Sequence, residues 1–218
     1  MAESLYSCRS MRDSSSSIEN LFVTKLYRAD LARPARLNAE LERTCLSIAQ
    51  EDRAGQRWAK AHGYKGYTSY ASLDDLTVRA PVFADFEKLL KPHAARFSRE
   101  ADFELGGARL ALDSLWINVM EEGSVHAAHI HPHSVVSGTY YVRVPKAAAA
   151  IRFEDPRLAM MMAAPVRRAN AKRENLSFVS VRPKPGTLLL WESFLRHDVP
   201  PNAARGKRIS ISFNYALR

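Results

Sequence analysis

From about residue 108 to the C-terminus the chain is cut into short segments by turn-forming residues, and this punctuation constrains the fold more than any other feature. Segments 109–120, 125–131, 137–144, 150–154, 177–182, 187–191 and 208–215 have strand length and strand composition. The breakers between them are Gly123, Pro145, Asp155-Pro156, Pro183 with Pro185-Gly186, and Pro200-Pro201-Asn202. Many short strands at near-regular spacing predict a sandwich or barrel. The last segment alternates strictly, with Ile209, Ile211 and Phe213 on one face and Arg208, Ser210, Ser212 and Asn214 on the other. Such a strand usually sets one face on a core and the other in water. The alternative is a polar face that lines a cavity. There an arginine suits a carboxylate, because its planar fork binds both oxygens, and Ser210 adds a hydroxyl on the same face.

Upstream the period changes. Pro34 can open a helix, and Leu37, Leu41, Cys45 and Ile48 give one apolar stripe over 35–52. A second helix is predicted from Pro81, with Val82, Phe86, Leu89 and Leu90 inward and Pro92 expected to kink or interrupt it. Residues 21–27 read as a first strand and 60–80 as a long loop. The segment 157–176, with Met160-Met161-Met162, reads as an inserted loop or short helix. Residues 1–19 are polar and Ser-rich and are predicted to be a disordered leader. The expected architecture is mainly β (α+β), with residues 20–218 as one domain whose helical part, 34–100, lays two helices on the sheet.

Composition narrows the function. No apolar run approaches the roughly 20 residues that span a bilayer, and the N-terminus has no apolar stretch of signal-peptide length, so a cytoplasmic location is expected. Cys8 and Cys45 give no disulfide framework and no zinc-ligand spacing. The net charge of +9 raises the question of nucleic acid. Its densest groups, Arg167 to Arg173 and Arg205 to Arg208, are not interleaved with aromatic residues, and no specific nucleic-acid partner is expected.

Five of the seven histidines fall at 126–133 and 197. On a regular strand His129 and His131 share a face while His126 and Ile130 take the other. Two imidazoles two residues apart form a pair of metal ligands, and a third from a distant strand would complete a facial set with open positions. His197 is that candidate. His133 has the right parity but lies beyond Pro132, which should end the strand.

Together these pieces resemble the Fe(II)/2-oxoglutarate dioxygenase superfamily, and more narrowly a bacterial and phage group of 2-oxoglutarate/iron oxygenases. The resemblance rests on Trp116-Ile117-Asn118, Gly123, His129-Ile130-His131-Pro132 and Ser137-Gly138-Thr139-Tyr140-Tyr141. It continues through Phe153-Glu154-Asp155-Pro156-Arg157, Pro185-Gly186, His197 and Arg208-Ile209-Ser210, covering about residues 115–215. It implies a double-stranded β-helix, or jelly roll, with two N-terminal helices packed on its major sheet. It implies Fe(II) on His129, His131 and His197, and 2-oxoglutarate on Arg208 and Ser210 with Asn118 and Tyr141. Trp116 and Ser137 are expected to line the pocket, with O2 as second small-molecule partner and a homodimer as the expected assembly.

One departure stands out. The superfamily's usual second ligand is a carboxylate, and here it is His131. Asp198 adjoins His197 but should point to the other face, and Glu121 and Glu122 read as turn residues before Gly123. A cupin-like protein with a three-histidine metal site and no oxo acid is therefore the alternative. Nothing in the residues names the prime substrate.

Overall fold

The structure, a computed structural model, describes residues 15–32 and 34–218. The leader expectation falls largely on residues 1–14, Cys8 among them, which lie outside the described residues. The strands are β1 (Leu26–Asp30), β2 (Gly66–Thr68), β3 (Leu110–Met120), β4 (His126–His129), β5 (Val136–Arg143), β6 (Ile151–Glu154), β7 (Phe178–Val181), β8 (Thr187–Glu192), β9 (His197–Val199) and β10 (Arg208–Leu217). Four helices precede β3: α1 (Ala35–Glu51), α2 (Arg53–Ala61), α3 (Leu76–Arg79) and α4 (Pro81–Glu100). A six-stranded major sheet runs β1-β8-β5-β10-β3-β2, and a four-stranded minor sheet runs β4-β9-β6-β7. All pairings are antiparallel. From β3 onward the chain winds between the two sheets, which makes the jelly roll.

Side-chain periodicity explains the layering. The apolar face of β10, Ile209, Ile211 and Phe213, packs under the helices with Leu41, Cys45 and Ile48 of α1 and Phe83, Phe86, Leu90 and Phe97 of α4. The unbroken run in β8 is buried on both sides. Leu188 and Leu190 face the helices, while Leu189 and Trp191 face the space between the sheets. Asn38 locks α1 to the sheet: it accepts from the Tyr140 hydroxyl at 2.6 Å and donates to the Val142 carbonyl at 3.0 Å. Gly138 lets the layers close, since a Cβ there would meet Phe213 and Leu190 at 2.5–2.6 Å.

The helical part is richer than two helices. Asp52 ends α1 and caps α2, accepting from the Gly55 N–H at 3.0 Å, and its carboxylate also takes the Tyr67 and Ser72 hydroxyls. The expected 60–80 loop thus holds the end of α2, the strand β2 and the turn of α3. Helix α4 runs through Pro92. Lys88, whose carbonyl loses its partner, and Pro92 are both exposed, so the break lies on the solvent side while the buried stripe from Phe86 to Phe97 holds the helix. The first strand lies later than expected. Register with β8 pairs Leu26 with Trp191 and Asp30 with Thr187. Residues 21–25 find no partner beyond the end of β8, and Leu21, Phe22 and Val23 are exposed. The 157–176 insert contains two short 3-10 turns. Among the described residues no helix is long and apolar enough to cross a membrane.

Candidate active site

The inward faces of β3, β5, β8 and β10 meet the minor sheet around one narrow cavity. It is lined by Trp116, Asn118, Thr139, Tyr141, Trp191, Arg208, Ser210 and Ser212 from the major sheet, and by His126, His129, His131 and His197 from the minor-sheet side. One ligand nitrogen from each of His129, His131 and His197 lies within 4.8 Å of the others. His131 Nε2 and His197 Nε2 are 3.3 Å apart. Two imidazoles on one ion with bonds of about 2.1 Å sit roughly 3.0–3.4 Å apart, so the spacing suits a shared metal.

The ring orientations are fixed from behind. His129 Nδ1 is 2.7 Å from the Ala127 carbonyl and His197 Nδ1 is 2.9 Å from the Leu195 carbonyl. A carbonyl only accepts, so each Nδ1 carries the proton and each Nε2 presents its lone pair, as metal-ligating histidines require. His131 lies just past β4 and is pinned by its backbone N–H to the Ser193 carbonyl at 3.0 Å. Its ring sits between Trp116 and His197. Burial, then the charges of the neighbouring imidazoles, pushes His131 down to about 3; burial, then His129, pushes His197 down to about 4. Both rings are therefore unprotonated at neutral pH, the form that binds a metal.

At the other end lies Arg208, 2% exposed. Its Nη1 reaches Met120 Sδ at 3.1 Å and Ser210 Oγ at 3.5 Å, and its guanidinium sits 5.0 Å from the centre of the Tyr141 ring. Arg208 Nε and the Tyr141 hydroxyl are buried without a partner, as is Trp191 Nε1. Among the described residues no carboxylate pairs with Arg208. A buried cation without an anion is costly, and three orphaned donors beside one cavity fit an arriving carboxylate.

The remaining expectations separate. Asn118 lines the cavity, but its amide is engaged by Thr68 Oγ1 at 3.0 Å and Ser212 Oγ at 3.1 Å. Trp116 is a wall residue, with the exposed Tyr70 against its edge. Ser137 faces inward on β5 but bonds Ser193 and Asn214 at 2.8 Å each and does not reach the cavity wall. Asp198 points outward into a pair with Arg152. His133 lies in a turn at φ +68° and takes no part in the cluster.

His126 corrects the parity argument. On β4 and β9, His126 pairs with Val199 and His129 with His197, so three steps on one strand oppose two on the other. The extra residue is a β-bulge, and it turns His126 onto the same face as His129. Tyr64, from the stretch read as a loop, then reaches His126 Nε2 at 2.9 Å. Neither feature follows from alternation; Trp191, sitting in an apolar run, gave no polar signal either.

Residues 114–214 match the family described as "Putative 2OG-Fe(II) oxygenase". No curated protein matches the chain. Among solved structures, a prolyl-4-hydroxylase from Pseudomonas putida aligns at TM-score 0.55 and 15% identity over 89% of this chain and 94% of that one. HygX from Streptomyces hygroscopicus, with nickel and 2-oxoglutarate bound, aligns at TM-score 0.59 and 13% identity over 88% and 82%. An oxidoreductase of the 2OG-Fe(II) oxygenase family from Burkholderia pseudomallei aligns at 16% identity over 50% of this chain, which spans 46% of that one; at TM-score 0.38 it carries no argument. Identities this low speak to the fold alone. The jelly-roll fold is common to the alignments with the prolyl-4-hydroxylase and HygX, and residues 114–214, a little under half of the chain, are similar to the 2OG-Fe(II) oxygenase family.

Proposed function

We propose that this protein binds Fe(II) through His129, His131 and His197 and 2-oxoglutarate through Arg208 and Ser210, and oxidises a further substrate at that centre. The observation that carries the reading is the buried, acid-free Arg208 in the same cavity as three lone-pair imidazoles. Bound there, iron and the oxo acid supply oxygen activation coupled to oxidative decarboxylation. The chain's own residues orient and shelter. The carbonyls of Ala127 and Leu195 hold two ligand rings in their metal-binding tautomer, and Trp116 and Trp191 keep bulk water from the centre. The Tyr141 ring covers the guanidinium, and its hydroxyl stands as a second donor to the carboxylate. Asn118 acts through Ser212, keeping the wall in place. A cytoplasmic location, residues 20–218 working as one unit, and pairing of two copies belong to the same proposal.

Calorimetric titration of the nickel-loaded protein with 2-oxoglutarate tests it. Wild type should bind, and Arg208→Ala should bind roughly 10- to 150-fold more weakly, as expected for losing a charge-assisted hydrogen bond. Its metal content should be unchanged. Equal affinity in both would remove Arg208 from the site. Absence of binding in either would favour a three-histidine metalloprotein that uses no oxo acid.

A further inference from the structure

His126 lines the cavity and Tyr64 reaches it, yet neither has a role in holding the metal or the oxo acid so far. An unbulged β4 would send His126 outward; the bulge sends it into the cavity. Tyr64 comes from outside the barrel, in the turn between α2 and β2, where its backbone N–H is tied to the Ala59 carbonyl at 2.9 Å. Its ring packs on His126 at 5.2 Å and its hydroxyl meets Nε2 at 2.9 Å. Burial, then the Arg208 charge, disfavours a protonated His126; burial holds the Tyr64 hydroxyl in its neutral form against the opposing influence of the same charge.

A neutral imidazole has one N–H and one lone pair. If the Tyr64 hydroxyl donates to Nε2, the proton must sit on Nδ1. Among the described residues no acceptor lies against that nitrogen, nor is it sealed away. In that tautomer the cavity end gathers donors without acceptors, with His126 Nδ1–H joining Arg208 Nε–H and the Tyr141 hydroxyl. Such a set calls for an anion with more than one oxygen.

We propose that Tyr64 and His126 form a latch on the distal carboxylate of the cosubstrate. Tyr64 fixes the tautomer by donating to Nε2, and His126 Nδ1–H donates to the carboxylate that Arg208 also holds. The proposal rests on the reading of this cavity as an oxo-acid site. His126 is then a binding residue and Tyr64 a positioning residue. The latch also makes the site selective for an oxo acid that carries a second carboxylate.

The test compares two probes on nickel-loaded protein: 2-oxoglutarate, and 2-oxobutyrate, which lacks the distal carboxylate. His126→Leu should weaken 2-oxoglutarate binding roughly tenfold or more, in line with one hydrogen bond to a charged group. Tyr64→Phe should weaken it less, and His126→Asn, which keeps an N–H, should recover part of the loss. Affinity for 2-oxobutyrate and nickel content should not change in any of them. Nitrogen NMR of the zinc-loaded protein should find the His126 proton on Nδ1 in wild type and shared between tautomers in Tyr64→Phe. Equal losses for both oxo acids would make the pair merely structural and overturn the latch. So would unchanged 2-oxoglutarate affinity in His126→Leu alongside a loss in Arg208→Ala, which leaves the cosubstrate reading standing. Failure of wild type to bind either oxo acid would overturn that reading and the latch with it.

Discussion

The two sheets of the barrel divide the labour unequally. The major sheet has long strands, 11 residues in β3, 8 in β5 and 10 in β10, and it carries the helical layer and most of the core. The minor sheet is built of strands of 3 or 4 residues, one of them bulged, and it supplies His126, His129 and His197. Long strands bury many side chains and fix register many times over, so β10 keeps its two faces through the register shifts at Ile209/Ser210 and Asn214/Tyr215. Short strands are held by few pairings and can bend to aim a side chain. Stability thus concentrates in one sheet and chemistry in the other. The exception is the anion end, Arg208 with Ser210 and Tyr141, because a cation buried without an acid needs the stiffer support.

Changes in the minor sheet should strike function hardest and fold least. His197→Ala is expected to lower metal affinity more than about 100-fold, beyond the 10- to 100-fold typical of losing a supporting residue. The metal-free protein should melt close to wild type. Metal analysis alongside thermal unfolding checks this, and a collapsed fold would break the division of labour.

The major sheet should behave in reverse. Phe86 is fully buried against Tyr140 and Phe213, and Phe86→Ala should cost about 3–5 kcal/mol of stability. Chemical denaturation measures the loss; molecules still folded should bind metal at the wild-type ratio.

A gentler probe uses acid. Burial holds His131 near 3 and His197 near 4, below the usual 6.5. As pH falls below about 6.5 the unfolded chain takes up protons that the folded chain refuses, so stability drops from there down to about pH 3–4. Each such group contributes a slope of up to about 1.4 kcal/mol per pH unit. In the metal-free protein, His131→Gln removes one of them, and its stability curve should diverge from wild type only below pH 6.5. Parallel curves from pH 7.5 to 5 would refute the assignment. The smallest effect belongs to His133→Ala, which should leave metal content and stability as they are, since that side chain is exposed in a turn.

The same contrast governs what could be read from residues alone. The strict alternation of β10 foretold both its faces, and the segment 187–191 was legible as a strand. The triad came from spacing that survives the local irregularity, because His129 and His197 lie directly opposite each other. What escaped was whatever depends on a partner. Residues 21–25 have strand-forming side chains but no neighbouring strand, and β9 is too short to show a period. Asp52 starts a second helix only because Gly55, Tyr67 and Ser72 converge on it. His126 faces the cavity only because β9 is one residue shorter than β4 across their pairing.

That last mismatch makes strand length itself a chemical variable. Inserting one residue beside Asp198 in β9, whose side chain points outward, would make three steps oppose three, restore plain alternation and turn His126 out to solvent. No residue of the site would have been replaced. A one-codon insertion could thereby remove one donor from the anion pocket, so relatives of this barrel can diverge in the oxo acid they accept through insertions in β9 that a comparison of site residues would never register.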